Sequence, residues 1–390
     1  MSRPIYLDYN ATTPPDPAVV TAMLPYLEAH FGNPSSSHAV GQAAKAGVAT
    51  ARRQVAALLG CAPEEVVFTS GGSESNNQVL LGIAFAHRER GNHIITTEIE
   101  HPSVRATCSY LEDRFGYSIS YIPVDGQGQV DPEAVERALT PRTILVSVMH
   151  ANNETGVLQP IAAIAAVAHS HGVLMHTDAA QSVGKVPVDV EDLRVDLLSV
   201  AGHKLYAPKG VGALYVRAGT RLDPLIHGAG QEDGWRASTE NVAGIVGLGQ
   251  ACAIAAERLA NDHRRLSTLR DRLQDRLEAA GWIVNGHRQA RLPNTLNISL
   301  EGADGEELLH RTPELAASTG SACHSGRTDP SAVLMAMGVS RRRALGAIRL
   351  SLGRWTNEAD IEHAAAALIA TGRAAPRPGA VGATGRPPDH

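Results

Sequence analysis

Groups of the kind that do acid–base and nucleophilic chemistry follow five predicted strands between residues 60 and 216. They are Gly71, Gly72 and Ser73 after the first strand, His101 after the second, Asn152 after the fourth, Asp178 with Gln181 after the fifth, and His203 with Lys204 after the sixth. A lone histidine or a single buried aspartate is more often structural than catalytic. Ligands of parallel α/β sheets bind outside the carboxyl ends of the strands. Together, these strand ends predict one active site.

The chemistry of this set is that of pyridoxal 5'-phosphate. A strand-end lysine such as Lys204 forms a Schiff base once its amine is deprotonated. Asp178, aimed at a pyridine nitrogen, would keep that nitrogen protonated, and the ring of His101 would stack on the pyridine. The amides of Asn152 and Gln181 suit a phenolate oxygen. A lysine with a carboxylate partner for the pyridinium is diagnostic of this cofactor.

Two parts of this prediction have alternatives. Backbone N–H groups at Gly71, Gly72 and Ser73 would bind the phosphate at a helix start. An ordinary serine-capped helix start explains the same residues equally well. Lys209 in "PKGVG" competes with Lys204 for the Schiff base, but it lies further into the turn, and strand-end geometry favours Lys204.

A thiol stands in the stretch "STGSACHSG", residues 318–326, among small and polar neighbours. Such a loop tolerates unusual backbone angles, so we expect it to be mobile and to let Cys323 act as a carrier. Cys61, Cys108 and Cys252 are interpreted as small packing residues. The four cysteines form no C-x-x-C pair, which argues against disulfides and a zinc site, and we expect no metal.

The elements that position these groups are short apolar strands that alternate with helices. The strands are predicted at 64–69, 92–98, 117–124, 143–149, 172–178, 195–202 and 212–217. This alternation predicts an α/β domain with a mainly parallel sheet flanked by helices. The last two strands are too close for a crossover helix, so the last is expected to be antiparallel.

A smaller α+β domain is predicted after the sheet. The charged amphipathic segment 256–278, with Leu259, Leu266, Leu269 and Leu273 on one stripe, predicts a linking helix. Residues 294–300 are predicted as a strand and 358–372 as a final helix. We expect a large domain at 15–255, a small domain at 1–14 and 256–372, and a disordered tail at 373–390 that is rich in Pro, Gly and Ala.

Composition restricts the partners. The chain has 390 residues, a net charge of -5 and a pI near 6.4, so nothing in its overall charge favours nucleic acid or an anionic membrane. The start of the chain lacks the apolar core of a signal peptide. No uncharged apolar run reaches the ~18 residues of a membrane span. We expect a cytoplasmic protein without direct nucleic-acid or membrane binding.

Taken together, the motifs resemble one known family. They are "YLDYNATTPPDP" (6–17), "FGNPSSSHAVG" (31–41), "FTSGGSESNN" (68–77), "EHPSV" (100–104), "MHANNETG" (149–156), "HTDAAQSVGK" (176–185), "GHKLYAPKGVGALYVR" (202–217), "GQEDGWRASTENV" (230–242), "STGSACHSG" (318–326) and "IRLSLGR" (348–354). From about residue 5 to 370 the chain is similar to the NifS/IscS-type cysteine desulfurases. This likeness implies the class V, aspartate aminotransferase-like fold of pyridoxal phosphate enzymes.

The resemblance also implies roles for individual residues. Lys204 would be the Schiff-base lysine, and Asp178 and His101 would hold the ring. The other implied cofactor contacts are Gly72, Ser73, Asn152, Gln181, His203 and, from the partner subunit, Thr239. Asn10, Asn33, Asn152 and Arg349 would bind substrate. Cys323 would take sulfur from L-cysteine as a persulfide, leave L-alanine, and pass the sulfur to an acceptor protein from within a homodimer.

Several positions near these motifs depart from the family pattern, among them His324, which stands where threonine is common. Ser73 replaces a frequent threonine, Ala201 replaces a frequent serine, and Ser238 replaces a glycine in "RAST" (236–239). His324 follows the cysteine, and "ACHS" also occurs in selenocysteine lyases, which are an alternative function. A class V enzyme of other specificity and an inactive sulfur-relay or scaffold protein are further alternatives. The acceptor is open among iron–sulfur, tRNA, DNA and small-molecule sulfur pathways.

Overall fold

We describe the fold from a computed structural model, in residues 4–319 and 329–374. The strands are β1 Ile5–Tyr6, β2 Val66–Thr69, β3 His93–Thr97, β4 Ser118–Ile122, β5 Thr143–Ser147, β6 Leu174–Asp178, β7 Leu197–Ala201, β8 Gly212–Val216, β9 Ile283–Asn285, β10 Thr295–Ser299, β11 Leu315–Ala316 and β12 Ala347–Ser351. The expected tail lies mostly outside the described residues, as does most of the stretch 318–326.

The helices surround these strands. They are α1 Pro17–Glu28, α2 Ala39–Leu59, α3 Gly72–Ala86, α4 Pro102–Phe115, α5 Pro132–Ala138, α6 Ile161–Ser170, α7 Val190–Leu193, α8 Val242–Glu278, α9 Gly305–His310, α10 Ala332–Ala336, α11 Arg341–Leu345 and α12 Glu358–Ala374. Short 3₁₀ turns lie at Pro63–Glu65, Gly202–Lys204 and Gln231–Gly234. All seven predicted strands of the large sheet form, each within a few residues of its expected bounds.

The large sheet has the strand order β2-β8-β7-β6-β5-β3-β4. The pairs β3·β4, β3·β5, β5·β6 and β6·β7 are parallel, whereas β8 is antiparallel to both β7 and β2. The strands β2, β3, β5, β7 and β8 are buried along their whole length, because helices cover both faces of the sheet. The predicted α/β fold class and the antiparallel last strand are confirmed.

A second, smaller sheet has the order β12-β10-β9 and is antiparallel. Its apolar cluster includes Leu7, Leu296, Ile348 and Leu350, and the helix α12 packs against it. The short strand β1 pairs in parallel with β11, which ties the start of the chain to this unit. A smaller α+β unit is therefore present, and the precise domain bounds stay a prediction.

The linking helix begins earlier than its charge pattern indicates. The expected helix at 256–278 is the second part of α8, which runs unbroken from Val242. Its first part contributes Leu248 and Ala255 to the core beneath the large sheet. Its second part contributes Leu269 and Leu273 to the core of the smaller unit. The first part was missed because its alanines and glycines give little amphipathic contrast.

Among the described residues, α8 is also the one helix long and apolar enough by composition to cross a membrane. In its most apolar stretch, 56% of the residues are buried inside the protein. The helix α8 packs against α1 and α2. It therefore serves as a core helix in this fold.

Candidate active site

A cavity of about 730 Å³ opens at the carboxyl ends of β2, β5, β6 and β7, where the topology of the sheet places a ligand. This volume is ordinary for a small-molecule site. Most of the predicted residues line it, and these are Asn10, Gly71, Gly72, Ser73, His101, Asp178, Gln181, His203, Lys204 and Arg349. The fold therefore brings together side chains that are up to 339 positions apart in sequence, since Asn10 and Arg349 lie at 10 and 349.

The turn from β2 into α3 provides an anion cradle. Gly71 is the N-cap of α3 and has φ of 148°, in the region that favours glycine, and no side chain caps the helix there. The first N–H groups of a helix have no partner within the helix, so they are available to a ligand. A Cβ on Gly72 would come within 3.3 Å of the Cβ of Ala201. The small residue at 201 thus keeps the floor of the cradle clear.

Lys204 lies at the end of the 3₁₀ turn that follows β7. Its Nζ donates to the backbone oxygens of Asn10, at 2.5 Å, and Ala11, at 2.8 Å. Burial and the charge of Arg349, opposed by Asp8 and Asp178, together lower the pKa of Lys204 to about 8. A nucleophilic neutral amine is therefore accessible near neutral pH. Lys209 also lines the cavity but is exposed.

Asp178 ends β6 with its carboxylate fixed on both oxygens. The Nδ2 atom of Asn76 donates to Oδ2 at 2.7 Å, and the backbone N–H of Ala180 donates to Oδ1 at 2.9 Å. Asp178 is only 7% exposed. Hydrogen bonds from a neutral amide and the backbone orient the carboxylate without neutralising its charge, so it can hold a positive group in the cavity.

The two histidines of the cavity are both held by hydroxyl groups. Nδ1 of His101 accepts from the backbone N–H of Ser103 at 3.1 Å and lies 2.8 Å from the Ser103 hydroxyl. Nδ1 of His203 lies 3.2 Å from the Thr12 hydroxyl. Burial lowers the pKa of His101, the charge of Asp178 opposes this shift, and the charge of Lys204 adds to it. Burial and the charge of Lys204 lower the pKa of His203 to about 4, so its imidazole is neutral.

Arg349 extends from the middle of β12, where its register partner is Asn297. Its Nη2 donates to Oδ1 of Asp8 at 2.6 Å, and its Nη1 donates to the backbone oxygen of Asn153 at 3.1 Å. The Nε atom is buried and has no hydrogen-bond partner among the described residues. The guanidinium is thus held in place with donor capacity left for an anion.

Four predicted site residues do not line the cavity in the described chain. Asn152 is fully buried, and its Oδ1 accepts from Glu154 and Thr155 to hold the turn after β5. Asn152 is therefore not part of the cavity lining, where Asn153 lies instead, and its implied contacts with cofactor and substrate stay predictions. A choice between adjacent asparagines depends on which side of the turn faces the sheet edge, which the sequence does not specify.

The other three residues are Asn33, Thr239 and Cys323. Asn33 is exposed, and its Oδ1 accepts from the backbone of Ser35 at 2.9 Å. Thr239 is exposed and lies outside the cavity of its own chain. Cys323 lies outside the described residues. The roles that the resemblance implies for these three residues stay predictions.

Sequence reasoning also missed residues that support the site. Asp8 pairs with Arg349, Asn76 holds Asp178, and Lys185 contacts Gln181. Each lies inside a motif that resembles the family, but Arg349, Asp178 and the second partner of Lys185, Asn10, are far away in the sequence. Among the described residues, no cluster of three or more His, Cys, Asp or Glu side chains is arranged to hold a metal ion.

This donor set fits pyridoxal phosphate. The cradle at the start of α3 suits the phosphate, the oriented carboxylate of Asp178 suits the pyridinium, and Lys204, with its lowered pKa, lines the same cavity. His101 lines the same cavity. Each of these groups would hold a different part of the cofactor.

Comparisons with known proteins agree with this site. The family model described as "Aminotransferase class-V" matches residues 5–363. The cysteine desulfurase IscS of Dictyoglomus turgidum is 46% identical over 367 residues, covering 93% of each chain. A solved NifS-like protein superposes with a TM-score of 0.89 at 38% identity, covering 94% of this chain and 98% of its own.

A second solved structure, described as SspA in complex with cysteine, has a TM-score of 0.79 at 38% identity. It covers 90% of this chain and 99% of its own. The matches extend over nearly the whole of each protein, so they include the sheet, the cavity and the smaller unit. The chain therefore belongs to the class V aminotransferases and, within them, to the cysteine desulfurases.

Proposed function

We propose that this protein is a pyridoxal phosphate-dependent cysteine desulfurase, which converts L-cysteine to L-alanine and transfers the sulfur to Cys323. The observation that carries the proposal is one cavity in which a lysine of lowered pKa, an oriented aspartate and a buried arginine face each other. Its similarity to cysteine desulfurases over nearly the whole chain supports the same reaction. The solved relative in complex with cysteine supports cysteine as the substrate.

The charge state of each cavity residue suits it to one role in the reaction. Pyridoxal phosphate, when bound, supplies an electron sink for the negative charge that develops at the substrate α-carbon. Asp178 holds the proton on the pyridine nitrogen, Arg349 binds the substrate carboxylate, and the neutral amine of Lys204 moves the α-proton. A guanidinium suits the substrate carboxylate because its planar fork matches the two oxygens.

Cys323 accepts the sulfur atom of the substrate. In this step the thiolate Sγ bonds to the substrate sulfur and the substrate C–S bond breaks. The electron pair goes to the carbon, which becomes the methyl group of alanine after protonation. The product on the protein is a persulfide, and a thiolate of the acceptor protein then bonds to its outer sulfur while the S–S bond breaks and Cys323 leaves as a thiolate. The thiolate, not the thiol, is the nucleophile in such a reaction.

One experiment tests the activity and its closest alternative. The purified protein, loaded with pyridoxal phosphate, is supplied with L-cysteine or L-selenocysteine, and alanine and persulfide are measured. We expect alanine from L-cysteine in the parent and none in Cys323→Ala. Full activity of Cys323→Ala on selenocysteine, together with weak activity of the parent on cysteine, would instead assign a selenocysteine lyase.

We further propose that the protein is a homodimer in which Thr239 contacts the phosphate in the partner's cavity. Thr239 is exposed and lies outside its own cavity, as expected of a residue that acts across an interface. An apolar stripe on α1, formed by Val20, Leu24 and Leu27, is exposed next to the exposed Phe31. Exposed apolar surface of this kind is typical of a protein–protein contact.

Mixing two inactive variants tests this arrangement. If Thr239 acts across the interface, a dimer of Lys204→Ala and Thr239→Val contains one doubly altered site and one intact site. Activity should then return on subunit exchange, and sedimentation should give twice the monomer mass. If both residues serve the same chain, no site is intact in the mixture and activity stays absent.

A further inference from the structure

Lys185 contacts the active site from behind Gln181. The backbone of residues 179–186 forms successive helical turns, with the N–H of Val183 bonded to Ala179 and the N–H of Val186 bonded to Ser182. Gln181 and Lys185 are four residues apart, so their side chains lie on one face of these turns. Gln181 lines the cavity, whereas Lys185 lies outside it.

Within the described residues, the Nζ atom of Lys185 contacts amide oxygens and no carboxylate. It donates to Oε1 of Gln181 at 2.9 Å and to Oδ1 of Asn10 at 3.2 Å. Lysine carries only donors, so the oxygen of the Gln181 amide must face it. The NH₂ group of Gln181 consequently faces the opposite way, and it donates to the backbone oxygen of Asn10 at 2.9 Å.

This backbone oxygen also accepts from Lys204. Lys185, Gln181, Asn10 and Lys204 therefore form one continuous hydrogen-bonded network that ends at the Schiff-base lysine. Burial lowers the pKa of Lys185 well below its ordinary value, and the positive charges of Lys204 and Arg349 lower it further. A neutral amine has two N–H groups, which match the two amide oxygens that it contacts.

We propose that Lys185 is a positioning residue, which holds the Gln181 amide in the one orientation that presents its NH₂ group to the cofactor's ring oxygen. This inference rests on the proposed function. Without Lys185, Oε1 of Gln181 has no donor in the described chain, and leaving that buried oxygen unpaired weakens the preference for the present orientation, which only the bond from the NH₂ group to Asn10 then favours. Rotation would turn an acceptor toward the ring oxygen, which carries negative charge.

Absorbance of the bound cofactor as a function of pH tests the proposal. The NH₂ group of Gln181, as a donor to the charged ring oxygen, favours the charged form of that oxygen. Lys185→Met should misplace this donor and so raise the pH midpoint of the absorbance change by about half a unit or more. Gln181→Leu should move the midpoint in the same direction. In the double variant, Lys185→Met should add little to the shift already caused by Gln181→Leu, because Lys185 acts through that amide.

The controls separate positioning from charge and from folding. Lys45 is exposed on α2, and the control variant Lys45→Met should leave the midpoint unchanged. If Lys185→Met shifts the midpoint equally in the parent and in Gln181→Leu, the proposal is overturned, because the charge of Lys185 would then act directly on the cofactor. An unshifted midpoint in folded Lys185→Met would overturn it as well. If that variant does not fold, Lys185→Leu, which also removes the donor, is measured instead under the same criteria.

These readouts do not depend on the substrate. If the parent protein binds pyridoxal phosphate but forms no alanine from L-cysteine, the proposed function fails while the absorbance cycle still tests Lys185. If alanine forms and the cycle shows no coupling, the function stands and the positioning role fails. Where both hold, Lys185→Met should also lower kcat by about tenfold, with a smaller change in KM.

Discussion

The guanidinium of Arg349 and the carboxylate of Asp8 form an ion pair with a distance of 2.6 Å between Nη2 and Oδ1. Arg349 comes from the centre of β12, whereas Asp8 follows β1 at the start of the chain. The backbone of Arg349 also bonds in both directions with Ser318, at the beginning of the stretch that carries Cys323. One residue thus joins the substrate end of the cavity, the start of the chain and the start of the cysteine segment.

Arg349→Lys should raise the KM for L-cysteine by about tenfold or more. A lysine ammonium cannot keep the bonds to Asp8 and Asn153 and also donate two parallel hydrogen bonds to the substrate carboxylate. Steady-state kinetics measure the change. The matched control is Arg342→Lys, an exposed arginine on α11, for which KM should not change. An unaltered KM in folded Arg349→Lys would remove Arg349 from substrate binding.

Asp178→Asn should lower kcat by about a hundredfold or more, because the fixed negative charge opposite the pyridinium is lost while the shape of the side chain is kept. Kinetics and the cofactor spectrum measure the effect. Asn76→Ala removes one hydrogen bond to Asp178 but leaves its charge, so its effect should be clearly smaller. Equal losses in the two variants would indicate that orientation, and not charge, carries the effect.

The lowered pKa of Lys204, about 8, predicts how cofactor-free protein captures pyridoxal phosphate. Only the neutral amine reacts, so the rate of covalent attachment should rise with pH and reach half its maximum near pH 8. An unperturbed lysine, with a pKa of about 10.4, would react slowly over the same range. Stopped-flow absorbance gives the profile, and Lys204→Arg should show no attachment even though Lys209 is present.

The three cysteines of the described chain should resist alkylation. Burial raises the pKa of each of Cys61, Cys108 and Cys252 to about 12, against about 8.5 for a free thiol. Iodoacetamide at pH 7.5 should therefore modify Cys323 first, as peptide mass spectrometry can measure. Rapid labelling of Cys108 or Cys252 in the folded protein would contradict their assignment as packing residues.

Ser238→Gly should stabilise the protein by about 1 kcal/mol. Ser238 has φ of 100°, in the region that favours glycine, and the family pattern carries glycine there. Urea denaturation compares the free energy of unfolding of the variant with that of the parent. Ser37→Gly, at an exposed loop residue without a positive φ, should be neutral or slightly destabilising. A loss of stability in Ser238→Gly would show that its side chain outweighs the backbone strain.

Local patterns were sufficient to predict the large sheet and most of the cavity. Short apolar runs predicted the strands, and the end of a strand is also where a parallel sheet places its ligand, so Asp178 and Lys204 followed from the same reasoning. Those patterns did not distinguish Asn152 from Asn153. Both are polar and adjacent, and only the packing of the turn after β5 decides which one faces the cavity.

The support around the site depends on contacts between distant elements. Asp8 looks like any exposed acid until the fold brings β12 beside it, and Lys185 looks like a surface lysine until Asn10 covers it. The start of α8 was missed for a related reason, since small residues pack closely without an amphipathic pattern. Gly249 lies there with its α-carbon facing Ala51 of α2, where a Cβ would come within 2.6 Å of the Ala51 methyl group.

The uninterrupted course of α8 has a mechanical consequence. Its first part is embedded in the core of the large sheet and its second part in the core of the smaller unit. A helix is stiff along its axis, and breaking it would release backbone groups in its middle. If either core unfolded, its half of α8 would lose its packing. The other half belongs to the same helix, so the other core would be destabilised as well. The two units should therefore unfold cooperatively, in a single thermal transition.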